Sequence, residues 1–206
     1  MAFCDDKNPV VFPEISYGFY KVFAELYSIP YTAIPLMDDF AINPDDYINC
    51  KKHVVIANPN APTGLMLPLE EIEKIVSSNP DKIVLIDEAY VDFGGMSAVP
   101  LTKKYDNLLV VGTFSKSRSL AGARLGFAIG NAEIIKDLEK IKYSTNPYNI
   151  NRLTLVAGAA AIDSNDYFMS NCKEIEAVRD YTTEELENLG FFSWCCMINL
   201  WEVEMD

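Results

Sequence analysis

The chain has 206 residues, half of them hydrophobic, with a formal net charge of −13, enough to bury a sizeable core in one large domain or two small ones. The acidic balance excludes a broad nucleic-acid footprint, which needs a basic face. No apolar run reaches the roughly 18 residues of a membrane span, and the first residues lack the basic-then-apolar order of an export signal, so the chain reads as a globular, cytoplasmic protein without a membrane or nucleic-acid partner.

In chain order, apolar β-rich runs occur at 9–12 (PVVF), 31–35 (YTAIP), 53–58 (HVVIAN), 82–87 (KIVLID), 108–114 (LLVVGTF) and 125–130 (LGFAIG). Helical periodicity predicts helices over 16–28, 68–79 with Pro68 near its start, 96–105 and 131–143, then two more over 150–163 and 166–189. Continuous rather than alternating apolar strands predict a sheet buried on both faces. This is the α/β class, a three-layer α/β/α sandwich with a mostly parallel sheet. The single histidine, His53, reads as a strand-end residue. The five cysteines (Cys4, Cys50, Cys172, Cys195 and Cys196) lack metal-ligand spacing, so no metal site is expected.

In open α/β sheets ligands bind beyond the carboxyl ends of the strands, and there the unusual residues sit. HVVIAN is followed by PNAPTG (59–64), KIVLI by DEAY (87–90) and LLVVG by TFSK (113–116). Taken singly, these have plainer uses: a turn, a cap after a strand, a surface lysine. Together they set a carboxylate, a phenol, a lysine and hydroxyls at one sheet edge, and Arg124 follows Lys116 by eight residues, beyond a predicted helical turn, SRSLAG.

Pyridoxal 5′-phosphate needs this set: an amine for its aldehyde, an anion to keep its ring nitrogen protonated, and donors for its phosphate. Lys116 would reach the aldehyde and Arg124 would clamp the phosphate, with Ser115, Ser117 and the amides of the predicted helix start completing the anion site.

The segments FPEISYGFYKVFAELYSIPYTAIPL, NPNAPTG, VLIDEAYVDF and TFSKSRSLAGARLGFAIG, in that order, resemble the fold-type-I aminotransferases, and most closely the histidinol-phosphate aminotransferases. The resemblance implies amino-group transfer between histidinol phosphate and 2-oxoglutarate. It makes Lys116 the Schiff-base lysine and proton carrier, Asp87 the partner of the pyridine nitrogen and Tyr90 a hydrogen-bond donor to the ring 3′-oxygen. Thr113, Ser115 and Arg124 match the phosphate-binding positions, Tyr17 matches the aromatic residue that stacks on the cofactor ring, and Arg118 matches no role and reads as a surface charge. Threonine-phosphate decarboxylases and aromatic aminotransferases share every one of these motifs.

The chain departs from the family pattern at Ala61, where an asparagine usually bonds the 3′-oxygen. Tyr90 would then hold that oxygen alone, or Asn60 would swing inward. It also departs at both ends. Residues 1–190 match the large cofactor-binding domain without its N-terminal arm and glycine-rich loop, and 191–206 stand as an atypical tail in place of the small domain. The resemblance therefore implies an aminotransferase by lineage, homodimeric as in the family. The alternative is a truncated cofactor-domain fragment without turnover.

Overall fold

The six apolar runs form six strands, β1 (Val10–Pro13), β2 (Tyr31–Ile34), β3 (His53–Ala57), β4 (Val84–Asp87), β5 (Leu108–Thr113) and β6 (Gly126–Gly130). The structure, a computed structural model, describes residues 2–193 and 203–204. One sheet takes the order β2-β1-β3-β4-β5-β6. Its first five strands are parallel, and β6 returns antiparallel to β5. The parallel order requires crossovers, and α1 (Phe19–Leu26) and α2 (Leu69–Ser78) supply two of them. Pro68 stands at the N-cap position of α2 without a side-chain cap, and Glu70 and Glu71 in its first turn complement the positive end of the helix.

Alternation along the strands divides the core into two layers. On one face Val54, Ile56, Val84, Ile86, Leu108 and Val110 meet Ile72, Ile75 and Val76 of α2, all fully buried. On the other face Val10, Phe12 and Val55 pack with Ala24 of α1. Each large aliphatic side chain buried in this way contributes about 1.5 to 3 kcal/mol. The expectation of a sheet buried on both faces fails at β6, an antiparallel edge strand whose Phe127 and Ile129 remain 46% and 36% exposed.

The helix expected over 96–105 is a single 3₁₀ turn, Val99–Lys103. Pro100 takes an early position, and the amides of Leu101 and Lys104 bond three residues back to Ala98 and Leu101. The entry to this turn is fixed from the sheet, because Glu88 accepts hydrogen bonds from the Ser97 hydroxyl (2.7 Å) and the Ala98 amide (2.5 Å). A second 3₁₀ turn, Pro44–Tyr47, capped by the Asn43 side chain, places Tyr47 in the core.

After β6 come α3 (Ala132–Thr145), α4 (Arg152–Asp163) and α5 (Asn165–Asn188). Asn131 and Asn151 cap α3 and α4 with their side chains. Helix α4 lies against the loop between β5 and β6. The Thr154 hydroxyl donates to the Ala123 carbonyl at 3.3 Å, and a Cβ added at Gly158 would stand 2.4 Å from Leu125. Phe192–Ser193 pairs with Val203–Glu204. The rest of the tail expected over 191–206, with Cys195 and Cys196, lies outside the described residues. Among the described residues no helix is long and apolar enough to cross a membrane.

Candidate active site

Strands β3, β4 and β5 lie side by side in register, with Ala57 opposite Asp87 and Asp87 opposite Val111. Their carboxyl ends therefore open on one place. A cavity of about 720 Å³ lies there, within the size range of small-molecule sites. Tyr17, Asp87, Tyr90, Thr113, Ser115, Lys116 and Arg124 all line it, so seven side chains singled out in the sequence from four chain segments converge on one space.

Asp87 is the last residue of β4. Its Oδ1 accepts from the Ala89 amide at 3.1 Å and its Oδ2 from the Tyr20 hydroxyl at 2.9 Å. Burial pushes the carboxyl above its ordinary pKa, and these two hydrogen bonds oppose that rise. A cation in the cavity would favour the ionised form. Tyr20 escaped the sequence analysis although it sits in the quoted SYGFY segment. Helical spacing puts Tyr17 and Tyr20 on neighbouring positions, which was the available signal. The two rings meet edge to face at 5.5 Å, and Phe12 backs Tyr20 at 6.1 Å. Burial and the Asp87 carboxylate raise the pKa of the Tyr20 phenol, which stays protonated as a donor.

Lys116 sits in the loop between β5 and β6, with its ammonium 4.7 Å from the centroid of the Tyr90 ring. The Thr113 hydroxyl, which also lines the cavity, donates to Ser115 Oγ at 2.9 Å and accepts from the Ser115 amide at 3.1 Å. Arg124 is exposed, takes a left-handed backbone conformation (φ 53°) and donates to the Ala121 carbonyl at 3.1 Å. The expected helix start is replaced by a three-residue 3₁₀ turn, Ala121–Ala123. It is too short to present a helix N-terminus, so any anion here would rely on side chains and turn amides.

The family model for "Aminotransferase class I and II" matches residues 1–199. The chain belongs to the class I and II aminotransferases. It is 50% identical to histidinol-phosphate aminotransferase 2 of Dechloromonas aromatica, over 93% of this chain and 54% of that protein. It is 53% identical to the histidinol-phosphate aminotransferase of Brachyspira hyodysenteriae over the same shares. The chain thus spans about half the length of the curated relatives it matches. The crystal structure of histidinol-phosphate aminotransferase from Sinorhizobium meliloti in complex with pyridoxal-5′-phosphate superposes with a TM-score of 0.83, covering 93% of this chain and 54% of that one at 22% identity. That likeness supports the fold. The architecture agrees with it: a mostly parallel α/β sheet with a cavity at the carboxyl ends of β3 to β5.

Three sequence expectations are corrected in this class I and II aminotransferase. Ser117, expected to complete the anion site, does not line the cavity: it is 7% exposed and its hydroxyl donates to Asp92 Oδ2. Asn60 does not reach the cavity. It is 1% exposed; its Nδ2 donates to the Ile15 carbonyl and Thr63 Oγ1, both at 3.0 Å, and its Oδ1 accepts from Ser16 Oγ at 2.8 Å. Swinging inward would break all three bonds. Asn60 instead ties the 59–64 turn to the segment that carries Tyr17, while Ala61 lines the cavity and offers no side-chain donor. Arg118 is not a surface charge: its side chain is 17% exposed and faces Asp92.

His53 is a structural strand-end residue, as expected. It is buried, its Nδ1 accepts the Ile83 amide at 2.9 Å, and burial lowers its pKa. Arg179 is bound to Asp180 and to the Phe93 carbonyl. Among the described residues the cations lining the cavity are Lys116 and Arg124.

Proposed function

We propose that this chain is the cofactor-binding part of a pyridoxal-phosphate-dependent histidinol-phosphate aminotransferase, with residues 1–190 as its large domain and 2-oxoglutarate as amino acceptor. One observation carries the reading: Asp87, Tyr90, Lys116 and Arg124 converge on a single cavity in a chain about half identical to histidinol-phosphate aminotransferases.

The residues present fit the cofactor. Asp87, a carboxyl raised by burial, would face the ring nitrogen, where a positive charge restores its ionised form. Tyr17 would cover a ring face, and Tyr90 would donate to the ring oxygen without help from residue 61. Losing that one hydrogen bond costs about 0.5 to 1.5 kcal/mol, too little to abolish binding. Thr113, Ser115 and Arg124 would hold the phosphate. When bound, the cofactor supplies an aldehyde that captures amines and a ring that takes up electrons as a bond to the substrate carbon breaks. Lys116, which lines the cavity, would take up and return the proton of the substrate Cα. The cytoplasmic location and homodimer implied by the family resemblance belong to the same proposal.

The cavity's two cations are both committed to the cofactor. None is left, among the described residues, for the phosphate of histidinol phosphate or the carboxylates of 2-oxoglutarate. This favours a second reading, in which the chain holds the cofactor but does not turn over on its own. The test is to incubate it with pyridoxal phosphate, histidinol phosphate and 2-oxoglutarate and to measure both retained cofactor and glutamate formed. Glutamate above the level given by free cofactor supports the first reading, retained cofactor without glutamate supports the second, and a chain that retains no cofactor refutes both.

A further inference from the structure

Lys116 is exposed. Among the described residues its Nζ makes no hydrogen bond or ion pair, only the contact with the Tyr90 ring. Its placement must therefore come from the residues beside it. Ser117, the next residue, is 7% exposed, and its hydroxyl donates to Asp92 Oδ2. The guanidinium of Arg118 comes within 4.0 Å of the same oxygen. Arg118 continues to Asn165 Oδ1 (2.9 Å) and lies 5.7 Å from the Phe168 ring, which joins the loop to the start of α5. Its Nη1 is buried without a partner, so Asp92 supplies its only carboxylate contact among the described residues.

Asp92 belongs to the same compact turn as Tyr90. The Phe93 amide donates to the Tyr90 carbonyl (3.2 Å) and the Gly95 amide to the Val91 carbonyl (2.8 Å). The Lys116 turn is closed in the same manner, with the Ser119 amide bonded to the Lys116 carbonyl (3.0 Å) and the Leu120 amide to the Phe114 carbonyl (2.9 Å). Each turn is closed by its own backbone hydrogen bonds, and one carboxylate spans the gap between them.

We propose that Asp92 is the positioning residue for Lys116: by gripping Ser117 and Arg118 it fixes the lysine's backbone against the turn that carries Tyr90, and so sets the ammonium beside that ring. Hydrogen bonds to an ionised acceptor are the stronger kind, which suits a carboxylate that must hold two loops in register. The inference rests on the role proposed above for Lys116, but its test needs no cofactor.

The lysines of the 206-residue chain are dimethylated with ¹³C-formaldehyde, and the Lys116 methyl signal is assigned by its loss in Lys116→Arg. With the ammonium beside the face of the Tyr90 ring, that signal lies upfield of the exposed lysines. Lys104 and Lys142, at 5.1 and 5.2 Å from the Tyr105 and Tyr143 rings, serve as internal controls. In Asp92→Asn and in Ser117→Ala the Lys116 signal should move into the exposed-lysine envelope while the controls stay. The Ser119 and Leu120 amides should exchange at least about tenfold faster (about 1.4 kcal/mol), with Ile75 and Val76 of α2 unchanged. An unmoved Lys116 signal in either folded variant overturns the proposal. So does exchange that rises equally in α2, since Asp92 would then only stabilise the fold. A failure of Lys116 to react with pyridoxal phosphate would count against the proposed function and leave these shifts as expected.

Discussion

Replacing Tyr20 with phenylalanine keeps the ring against Phe12 and Tyr17 and removes only the hydroxyl that bonds Asp87 Oδ2 at 2.9 Å. In the cofactor-free chain the cost should depend on pH. Burial raises the Asp87 pKa, so the folded chain binds a proton that the unfolded chain releases. Stability from this group is therefore highest below the ordinary carboxylate range and falls as pH rises through the raised pKa. The Tyr20 hydrogen bond opposes the rise. Its removal lifts the Asp87 pKa further and deepens the fall.

A hydrogen bond to an ionised group is worth about 1.5 to 3 kcal/mol and one between neutral groups about 0.5 to 1.5. Tyr20→Phe should therefore cost about 1 kcal/mol more above the raised Asp87 pKa than below the ordinary carboxylate range. The Tyr20 phenol stays protonated at both, since its own pKa is raised by burial and by Asp87. Urea unfolding at the two pH values measures the difference, and adding Asp87→Asn should erase most of it. An equal cost at both pH values would refute the coupling of Tyr20 to the charge on Asp87.

Lys116→Ala should shift stability by no more than about 0.5 kcal/mol, because the side chain is exposed, and should abolish the site-specific reaction with pyridoxal phosphate, leaving only that of surface lysines; thermal unfolding and absorbance check the two halves. Asn60→Ala should destabilise the chain by about 2 to 3 kcal/mol in urea unfolding, because it strands the Ile15 carbonyl and the Ser16 hydroxyl beside a buried site. Glu88→Ala should cost about as much by leaving the buried Ala98 amide unpaired. Glu88→Gln should remove part of the decline in stability with rising pH, because burial raises the Glu88 pKa and the native carboxylate is penalised as it ionises.

The strands and the cavity were legible in the sequence because both depend on local signals. Apolar runs such as VVIA and LLVV mark strands whatever follows them, and in a parallel sheet the residue after each run falls on the ligand edge. Asp87, Lys116 and Arg124 are found by counting from strand ends. What escaped depends on partners distant in sequence. Nothing local distinguishes Arg118 from a surface arginine; its burial comes from Asp92, Asn165 and Phe168. Asn60 is held by Ile15 and Ser16, more than forty residues away, and Tyr20 by Asp87. Periodicity could not separate the 3₁₀ turn Val99–Lys103 from an α-helix, because its geometry is set by Pro100 and by the grip of Glu88. The exposure of β6 follows from its edge position, which apolar content alone does not reveal.

The cavity at the ends of β3, β4 and β5 is proposed above as a pyridoxal-phosphate site with Lys116 as its reactive amine. Borohydride reduction of the 206-residue chain in excess pyridoxal phosphate, followed by peptide mapping, tests it most directly, because reduction traps even weak occupancy. The label should concentrate on Lys116, and Arg124→Ala should lower its yield. Label spread over solvent-facing lysines such as Lys21 and Lys136, which are as exposed as a surface ion pair allows, with Lys116 no more modified than they are, would contradict it.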